Sequence, residues 1–157
     1  MSRHYLNLSW DQLHRDAKTL AKQLHMLGRW QGIVAISRGG LIPAAIIARE
    51  IDCRLVESLC VVTYDDEQRG TPKLIKPASA AGDGTGWLVI DDLVDSGSTL
   101  MAVRAHLPKA YIATLYAKDQ GKALVDRFVQ EVSQESWILF PWDTEPQFIA
   151  PLARGPA

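Results

Sequence analysis

The sequence predicts an α/β domain in which helices flank a central, mostly parallel sheet. Short unbroken apolar runs are typical of strands buried on both faces. Helix-forming segments follow two of these runs after a short turn, which is the rhythm of parallel strands joined by crossover helices. The chain has 157 residues, enough to bury a sizeable core without a disulfide or a structural metal. We therefore expect a single domain over residues 1–157.

The first third of the chain predicts a helix, a strand and a second helix. Ser9 and Gln12 have the spacing of a capping box at a helix start. Apolar residues then recur at helical spacing as far as Gly28: Leu13, Ala17, Leu20, Ala21 and Leu24. Residues 33–36 predict a buried strand and 37–40 a turn. Residues 41–50 are rich in Ala and Ile and predict a helix, with Pro43 in its first turn.

The rest of the chain continues the alternation and then changes character. Residues 54–64 predict a strand, 65–72 a polar exposed loop, and 74–75 the resumption of a strand. Residues 78–86 hold three glycines and form a tight connection before a buried strand at 87–90. A helix at about 98–106 and a strand at 111–117 follow. From about residue 118, short strands and loops predict a small C-terminal hood folded back on the sheet.

Composition excludes several functional classes. Seventeen basic residues stand against eighteen acidic ones, and the pI is about 6.4, so a general nucleic-acid binder with a strongly basic face is not expected. The sequence shows neither a signal peptide nor an apolar run of membrane-spanning length. Cys53 and Cys60 do not form a CxxC pair, and we expect buried thiols in a reducing cytoplasm. The four histidines lack ligand spacing, which argues against a transition-metal site.

The segment 89–99 carries the strongest chemical signal. A buried strand runs into Asp91 and Asp92, Asp95 follows, and a loop of small residues leads into a helix. The loop consists of Ser96, Gly97, Ser98 and Thr99. Its hydroxyls, its free backbone N–H groups and the positive end of the helix dipole favour a phosphate ligand. The spacing is not that of a Walker loop, and the paired acids favour contact with sugar hydroxyls. The alternative is an ordinary helix N-cap with acids in the first turn, but three acids and four small loop residues in one run favour a ligand site.

This segment resembles the phosphoribosyl pyrophosphate (PRPP) motif of type I phosphoribosyltransferases. Three further segments extend the resemblance over nearly the whole chain, and they are typical of the members that salvage purines: Ser37-Arg38-Gly39-Gly40-Leu41, Tyr116-Ala117-Lys118, and Trp137-Ile138 with Pro141-Trp142-Asp143. The resemblance implies the type I phosphoribosyltransferase fold. It also implies an enzyme that transfers the phosphoribosyl group of PRPP to guanine, xanthine and hypoxanthine, releasing pyrophosphate and giving GMP, XMP or IMP.

The resemblance also implies which residues bind PRPP. Asp91 and Asp92 would bind the ribose hydroxyls, and the four loop residues Ser96, Gly97, Ser98 and Thr99 would hold the 5′-phosphate. Ser37, Arg38 and Gly39 would form a pyrophosphate loop, in which the glycine permits close backbone approach and the arginine supplies charge. The family carries a cis peptide bond in this loop, which here would join Ser37 and Arg38. Arg69, in a mobile loop over 64–76 that closes on the site, would add a pyrophosphate contact.

Purine binding and metal binding are assigned in the same way. Asp95 would lie near N7 of the purine and act as the general base. Lys118 would bind O6 and so select 6-oxopurines over adenine, Trp137 would stack on the ring, and the Ile138 carbonyl would face the C2 substituent. The cofactor would be Mg²⁺ bound to PRPP, with Asp92 and Asp143 as its protein contacts.

Two departures from the family pattern and two alternatives remain open at this stage. Leu139-Phe140 stand where the family commonly has Glu-Gln, which bears on the preference among the purines. Ser-Gly-Ser replaces the usual Thr-Gly-Gly of the phosphate loop with its hydroxyl and N–H donors kept. The alternatives are a non-catalytic regulator that senses PRPP or nucleotide, and a hypoxanthine-preferring enzyme. The resemblance further implies a cytoplasmic homotetramer, without nucleic acid, whose contact with the inner membrane is at most peripheral.

Overall fold

The structure is a computed structural model that describes residues 4–63, 70–144 and 149–155. Three α-helices are α1 (Trp10–Met26), α2 (Leu41–Glu50) and α3 (Ser98–His106). The described residues also form eight strands: β1 (His4–Asn7), β2 (Gly32–Ser37), β3 (Val56–Thr63), β4 (Pro72–Lys76), β5 (Trp87–Val94), β6 (Tyr111–Lys118), β7 (Arg127–Val132) and β8 (Ser136–Leu139). All three predicted helices and the predicted strands are present, with bounds that differ by a few residues.

The main sheet has six strands in the order β4-β3-β2-β5-β6-β7. Each neighbouring pair is parallel except β3 and β4, which form an antiparallel pair at one edge. A second, two-stranded sheet joins β1 to β8 in parallel. The α/β class with a mostly parallel sheet is therefore confirmed. No helix among the described residues is both long and apolar enough to cross a membrane.

Two apolar clusters cover the two faces of the main sheet. One joins α1 and α2 to the sheet through residues such as Leu20, Ile47 and Ile90. The other joins α3 to the opposite face through Val89, Val103 and Ile112. Alternate residues of β5 belong to different clusters because successive side chains of a strand point to opposite faces. This burial on both faces explains why β2 and β5 have unbroken apolar runs.

The start of α1 shows how the local signal works. Ser9 is the N-cap, and its Oγ accepts a hydrogen bond from the backbone N–H of Gln12 at 3.1 Å. The other half of the predicted capping box is not formed. The Gln12 side chain instead donates from Nε2 to Asp16 Oδ1 at 3.0 Å, and its Oε1 accepts from Arg15 Nη2 at 3.0 Å. The amide therefore turns along the helix to the buried Asp16 carboxylate, which needs a donor.

Three local predictions need correction. β5 continues to Val94, so Asp91 and Asp92 lie within the strand and pair beside β6 instead of following its end. β7, placed in the hood by the sequence, is the edge strand of the main sheet beside β6. Both cysteines are free, as expected, but they are only partly buried. In the first two cases neighbouring strands decide the outcome, and the local sequence does not record them.

Candidate functional site

Three adjacent strands bring the predicted site residues together at their carboxyl ends. β2, β5 and β6 are neighbours and run parallel, so their carboxyl ends and the loops that follow lie side by side. β2 ends at Ser37, β5 at Val94 and β6 at Lys118. Open α/β sheets bind ligands beyond the carboxyl ends of their strands. Residues from three separated stretches of the sequence therefore meet here.

The loop after β5 surrounds a small cavity at the start of α3. The cavity has a volume of about 110 Å³ and is lined by Asp91, Leu93, Val94 and the continuous run 95–100. This is well below the roughly 300–1,000 Å³ of pockets that take drug-sized ligands. The N–H groups of the first turn of α3 have no acceptor within the helix. The cavity therefore suits a compact anion such as a phosphate group.

Gly97 shapes this loop. Its φ of 88° lies in the left-handed region, which favours glycine. A Cβ on Gly97 would also overlap Leu124 Cδ1, so the turn after β6 packs directly beneath the loop. Ser96 Oγ accepts a long hydrogen bond from the Ser98 backbone N–H at 3.5 Å and lies 3.3 Å from Ser98 Oγ. The glycine in the motif is thus required by packing as well as by backbone conformation.

Asp91 and Asp92 lie next to each other within β5 and are only partly exposed. The Asp92 backbone N–H donates to Asp91 Oδ1 at 2.9 Å, and the Leu93 backbone N–H donates to Asp92 Oδ1 at 2.7 Å. Burial raises the pKa of Asp91 well above its ordinary value, and the Asp92 charge raises it further. Burial also raises the pKa of Asp92. Both carboxylates would gain from a ligand that supplies hydrogen-bond donors or positive charge.

The loop after β2 reaches Asp92. A Cβ on Gly39 would lie 2.6 Å from Asp92 Cγ, so only glycine permits this approach. The peptide bond between Ser37 and Arg38 is cis, as the resemblance implies. Ser37 Oγ donates to the Leu59 carbonyl at 3.3 Å, and Arg38 is exposed. Arg69 lies outside the described residues, as does the first part of the loop predicted over 64–76, whereas Pro72–Lys76 forms β4.

Asp95 and Lys118 come together from the ends of β5 and β6. Lys118 Nζ lies 2.9 Å from Asp95 Oδ2. The second carboxylate oxygen of Asp95 accepts a hydrogen bond from Gln134 Nε2 at 2.7 Å. Sequence reasoning missed Gln134. In the sequence Gln134 stands three residues before Trp137, and this position does not indicate a contact with Asp95.

Trp137 and Ile138 lie on β8, outside the main sheet. β8 pairs with β1, so that Trp137 stands beside Tyr5 and Ile138 beside Leu6. Trp137 is about half exposed, at 49%, and Ile138 is buried. An exposed indole can offer its face to a ring, whereas a buried isoleucine can offer only its backbone. Leu139 and Phe140 are buried as well, and the Phe140 ring stacks on Trp142 with 4.8 Å between centroids.

The donor set for a metal is small. Asp143 lies in a short 3-10 helix (Pro141–Asp143), and its Oδ2 accepts from the Phe140 backbone N–H at 3.1 Å. Its charge also raises the pKa of Asp92, after the larger effect of burial. Among the described residues, His, Cys, Asp and Glu form no group of three that could hold a metal. Two carboxylates fit Mg²⁺ that takes its remaining oxygens from water and a phosphorylated substrate.

Comparison with known proteins gives a consistent result. The family model described as the phosphoribosyl transferase domain matches residues 9–149. The chain is 57% identical over 156 residues to the xanthine-guanine phosphoribosyltransferase of Gluconobacter oxydans, covering 97% of this chain and 92% of the relative. A purine phosphoribosyltransferase structure from Pyrococcus horikoshii Ot3 has a TM-score of 0.78 at 27% identity, covering 93% of this chain and 99% of the other.

A second solved structure agrees with the first. The xanthine-guanine-hypoxanthine phosphoribosyltransferase of Helicobacter pylori has a TM-score of 0.74 at 26% identity. It covers 88% of this chain and 94% of its own. The likeness therefore spans nearly the full length of both molecules.

Proposed function

The chain belongs to the phosphoribosyltransferase family, and on that premise we propose that it salvages purines as a xanthine-guanine phosphoribosyltransferase. It transfers the 5-phosphoribosyl group of PRPP to guanine, xanthine and hypoxanthine, forming the nucleoside monophosphate and pyrophosphate. The observation that carries this proposal is the Asp95–Lys118 pair beside the loop at the start of α3. The loop after β5 offers an anion site for a 5′-phosphate. Beside it, the Asp95 carboxylate and the Lys118 ammonium at the end of the adjacent strand offer an acceptor and a donor for a purine.

The Asp95–Lys118 pair matches one edge of a 6-oxopurine. N7–H is a donor and O6 is an acceptor, so a carboxylate and an ammonium placed together can each take one of them. Adenine would present an amino group to Lys118, and two donors would then face each other. A buried ammonium pays heavily for a missing acceptor. The pair therefore supports selection of 6-oxopurines.

The reaction displaces pyrophosphate from the ribosyl carbon. The bond between that carbon and the pyrophosphate oxygen breaks, a bond to the purine nitrogen forms, and Asp95 accepts the purine proton. Ser96, Gly97, Ser98 and Thr99 hold the 5′-phosphate, while Asp91 and Asp92 accept hydrogen bonds from the ribose hydroxyls and face the cationic sugar. Ser37, Arg38, Gly39 and Arg69 hold the leaving pyrophosphate.

The cofactor in this proposal is Mg²⁺, which arrives with PRPP. Its chemistry is to neutralise the leaving pyrophosphate. Asp92 and Asp143 would be its protein contacts, which agrees with a pKa of Asp92 that is raised mainly by burial and to a smaller extent by the Asp143 charge. Gly39 keeps the pyrophosphate loop against the Asp92 carboxylate, so the metal and the leaving group share one corner of the site.

Recognition of the purine C2 substituent falls to the backbone in this proposal. Leu139 and Phe140 are buried apolar residues, so they offer no polar side chain where members of the resembled family commonly have Glu-Gln. The Ile138 carbonyl and the Trp137 ring remain as contacts. This arrangement supports use of several 6-oxopurines. The relatives support neither the non-catalytic regulator nor the hypoxanthine-preferring enzyme as an alternative.

Three wider features belong to the same proposal. The chain forms one domain over 1–157, in which the part from about residue 118 onward, apart from β7 in the main sheet, supplies the purine-binding hood. The working enzyme is a homotetramer that takes PRPP and purine bases and does not bind nucleic acid, a view supported by the charge balance of the chain. It acts in the cytoplasm, with at most peripheral membrane contact, and free Cys53 and Cys60 agree with a reducing compartment.

One assay tests the function directly. Purified protein is incubated with PRPP, Mg²⁺ and one of guanine, xanthine, hypoxanthine or adenine, and pyrophosphate release is followed. We expect release with the three 6-oxopurines and little with adenine. Asp95→Ala should lower kcat by roughly 10²–10⁴-fold, the range of general base catalysis, with a much smaller change in the KM for PRPP. If no base led to pyrophosphate release, the proposed enzyme activity would be refuted.

A further inference from the structure

Gln134 connects three parts of the candidate site. It lies in the turn between β7 and β8, and its Nε2 donates to Asp95 Oδ1 at 2.7 Å. Its Oε1 accepts from the backbone N–H of Gln120 at 3.0 Å, in the turn that follows Lys118. One side chain therefore joins the loop after β5, the turn after β6 and the turn that leads into Trp137.

The chemistry of this position requires a neutral amide. The carboxylate of Asp95 needs a donor, and the Gln120 N–H needs an acceptor, so the amide of Gln134 has only one useful orientation. Glutamate has the same length, but it would place a second negative charge against Asp95. A shorter or apolar side chain would leave both partners without this bridge.

Asp95 depends on such an anchor because burial does not hold it. Its side chain is 52% exposed, whereas that of Lys118 is 5% exposed. Each carboxylate oxygen has its own partner: Lys118 on Oδ2 and Gln134 on Oδ1. On the backbone side, a Cβ at Gly121 would lie 3.2 Å from the Asp95 carbonyl carbon, so the turn after β6 also supports the main chain here.

Purine binding changes only one of these two contacts. In the proposed function, which this inference rests on, Lys118 turns to the purine O6 and releases Oδ2 to accept from N7–H. Without a second anchor, the exposed carboxylate would follow the lysine or rotate away. We propose that Gln134 is a positioning residue that holds Asp95 Oδ1 throughout, so that Oδ2 stays aimed at the purine when Lys118 leaves it.

The test separates the purine from PRPP. Gln134→Leu removes both hydrogen bonds and keeps most of the volume. We expect kcat/KM for guanine to fall by about 10- to 100-fold, the value of a hydrogen bond to a charged group, while the KM for PRPP stays within about twofold. Gln134→Glu should lower kcat/KM for guanine more than Gln134→Leu does. Gln130→Leu, an exposed glutamine on β7, is the matched control and should behave as the wild type.

A double-mutant cycle keeps the proposal testable apart from activity. Denaturation midpoints of Gln134→Leu, Asp95→Ala and the double variant should be non-additive, because each single change removes the same hydrogen bond. Additive midpoints would overturn the proposal, as would equal losses for guanine and PRPP. If the wild type converted no purine, the proposed function would fail, whereas the cycle would still decide whether Gln134 anchors Asp95.

Discussion

Lys118 and Asp95 form an ion pair, with 2.9 Å between Nζ and Oδ2, in which the lysine is buried and the aspartate is half exposed. A surface pair of this length would contribute little. Here the ammonium has left water, so its attraction to an acceptor is stronger and its need for one is greater. A ligand that offers Lys118 a new acceptor can therefore compete with Asp95, and a ligand that offers a donor cannot.

The first prediction concerns Lys118→Met. Methionine fills a similar volume without charge, so the site keeps its shape and loses its donor to O6. We expect kcat/KM for guanine to fall by about 10- to 100-fold and the ratio of guanine to adenine turnover to fall with it. Lys109→Met is the matched control because Lys109 is exposed and paired with Asp83 at 3.2 Å. An unchanged guanine-to-adenine ratio in Lys118→Met would contradict selection by charge.

The second prediction concerns Gly39→Ala. The added Cβ would lie 2.6 Å from Asp92 Cγ, so either the pyrophosphate loop or the carboxylate must move. We expect the KM for PRPP to rise by about tenfold or more, since a displacement of about 1 Å at a reacting site costs on the order of 10²-fold.

Gly28→Ala provides the comparison for that variant. A Cβ there meets no atom within 4 Å, but its φ of 134° is left-handed. This control should therefore lower the free energy of unfolding and leave the KM for PRPP unchanged. A normal KM for PRPP in Gly39→Ala would show that the close approach to Asp92 is dispensable.

The third prediction concerns pH and Asp91. Burial and the neighbouring Asp92 raise the pKa of Asp91 in the folded protein, so its ionised form opposes folding. Asp91→Asn should increase the free energy of unfolding by about 1 kcal/mol at neutral pH while reducing PRPP turnover. The gain should begin to shrink as the pH falls through the raised pKa, where Asp91 takes up a proton in the folded chain only, and it should vanish below the ordinary aspartate pKa, where Asp91 is neutral in both states.

A carboxylate with the opposite shift provides the control. Thr85 and Lys109 lower the pKa of Asp83 to about 2, so its ionised form favours folding. Asp83→Asn should therefore not stabilise the protein at neutral pH. Urea denaturation across a pH series measures both variants, and a stabilisation by Asp91→Asn that did not depend on pH would exclude the electrostatic cause.

The fourth prediction concerns Tyr116→Phe. The Tyr116 hydroxyl donates to Asp16 Oδ2 at 2.5 Å, and both side chains are buried. Burial raises the pKa of Tyr116, which keeps the hydroxyl protonated as a donor. Removing it leaves Asp16 with Gln12 as its donor, and we expect a loss of about 1–3 kcal/mol in the free energy of unfolding.

Tyr111→Phe is the matched change for that measurement. Its hydroxyl makes two long hydrogen bonds, donating to the Asp126 carbonyl at 3.5 Å and accepting from Arg127 Nε at 3.4 Å. The free energy of unfolding should therefore change by a few tenths of a kcal/mol, as for most substitutions away from buried networks. Equal losses in the two phenylalanine variants would mean that the Asp16–Tyr116 contact adds nothing beyond an ordinary surface hydrogen bond.

Much of the fold and the whole of the central motif could be predicted from local patterns. Helical spacing located α1, and unbroken apolar runs located β2 and β5, because burial dictates both patterns directly. The order of acids, hydroxyls and glycines in 89–99 indicated an anion site because the residues that form this site are neighbours in the sequence. Gln134 could not be found in this way, because its two partners lie 39 and 14 residues away and no periodicity connects them.

The sequence by itself determined the α/β class, the three helices and the chemistry of the loop before α3, since each depends on residues close together in the chain. Only the tertiary structure decided that Asp95 is shared between Lys118 and Gln134, and that Gly39 lies against Asp92. Strands that are neighbours in a parallel sheet can lie far apart in the sequence. The order of the strands in the sheet therefore decides which loops meet at their carboxyl ends. That order is set by packing on both faces of the sheet, which the local sequence does not encode.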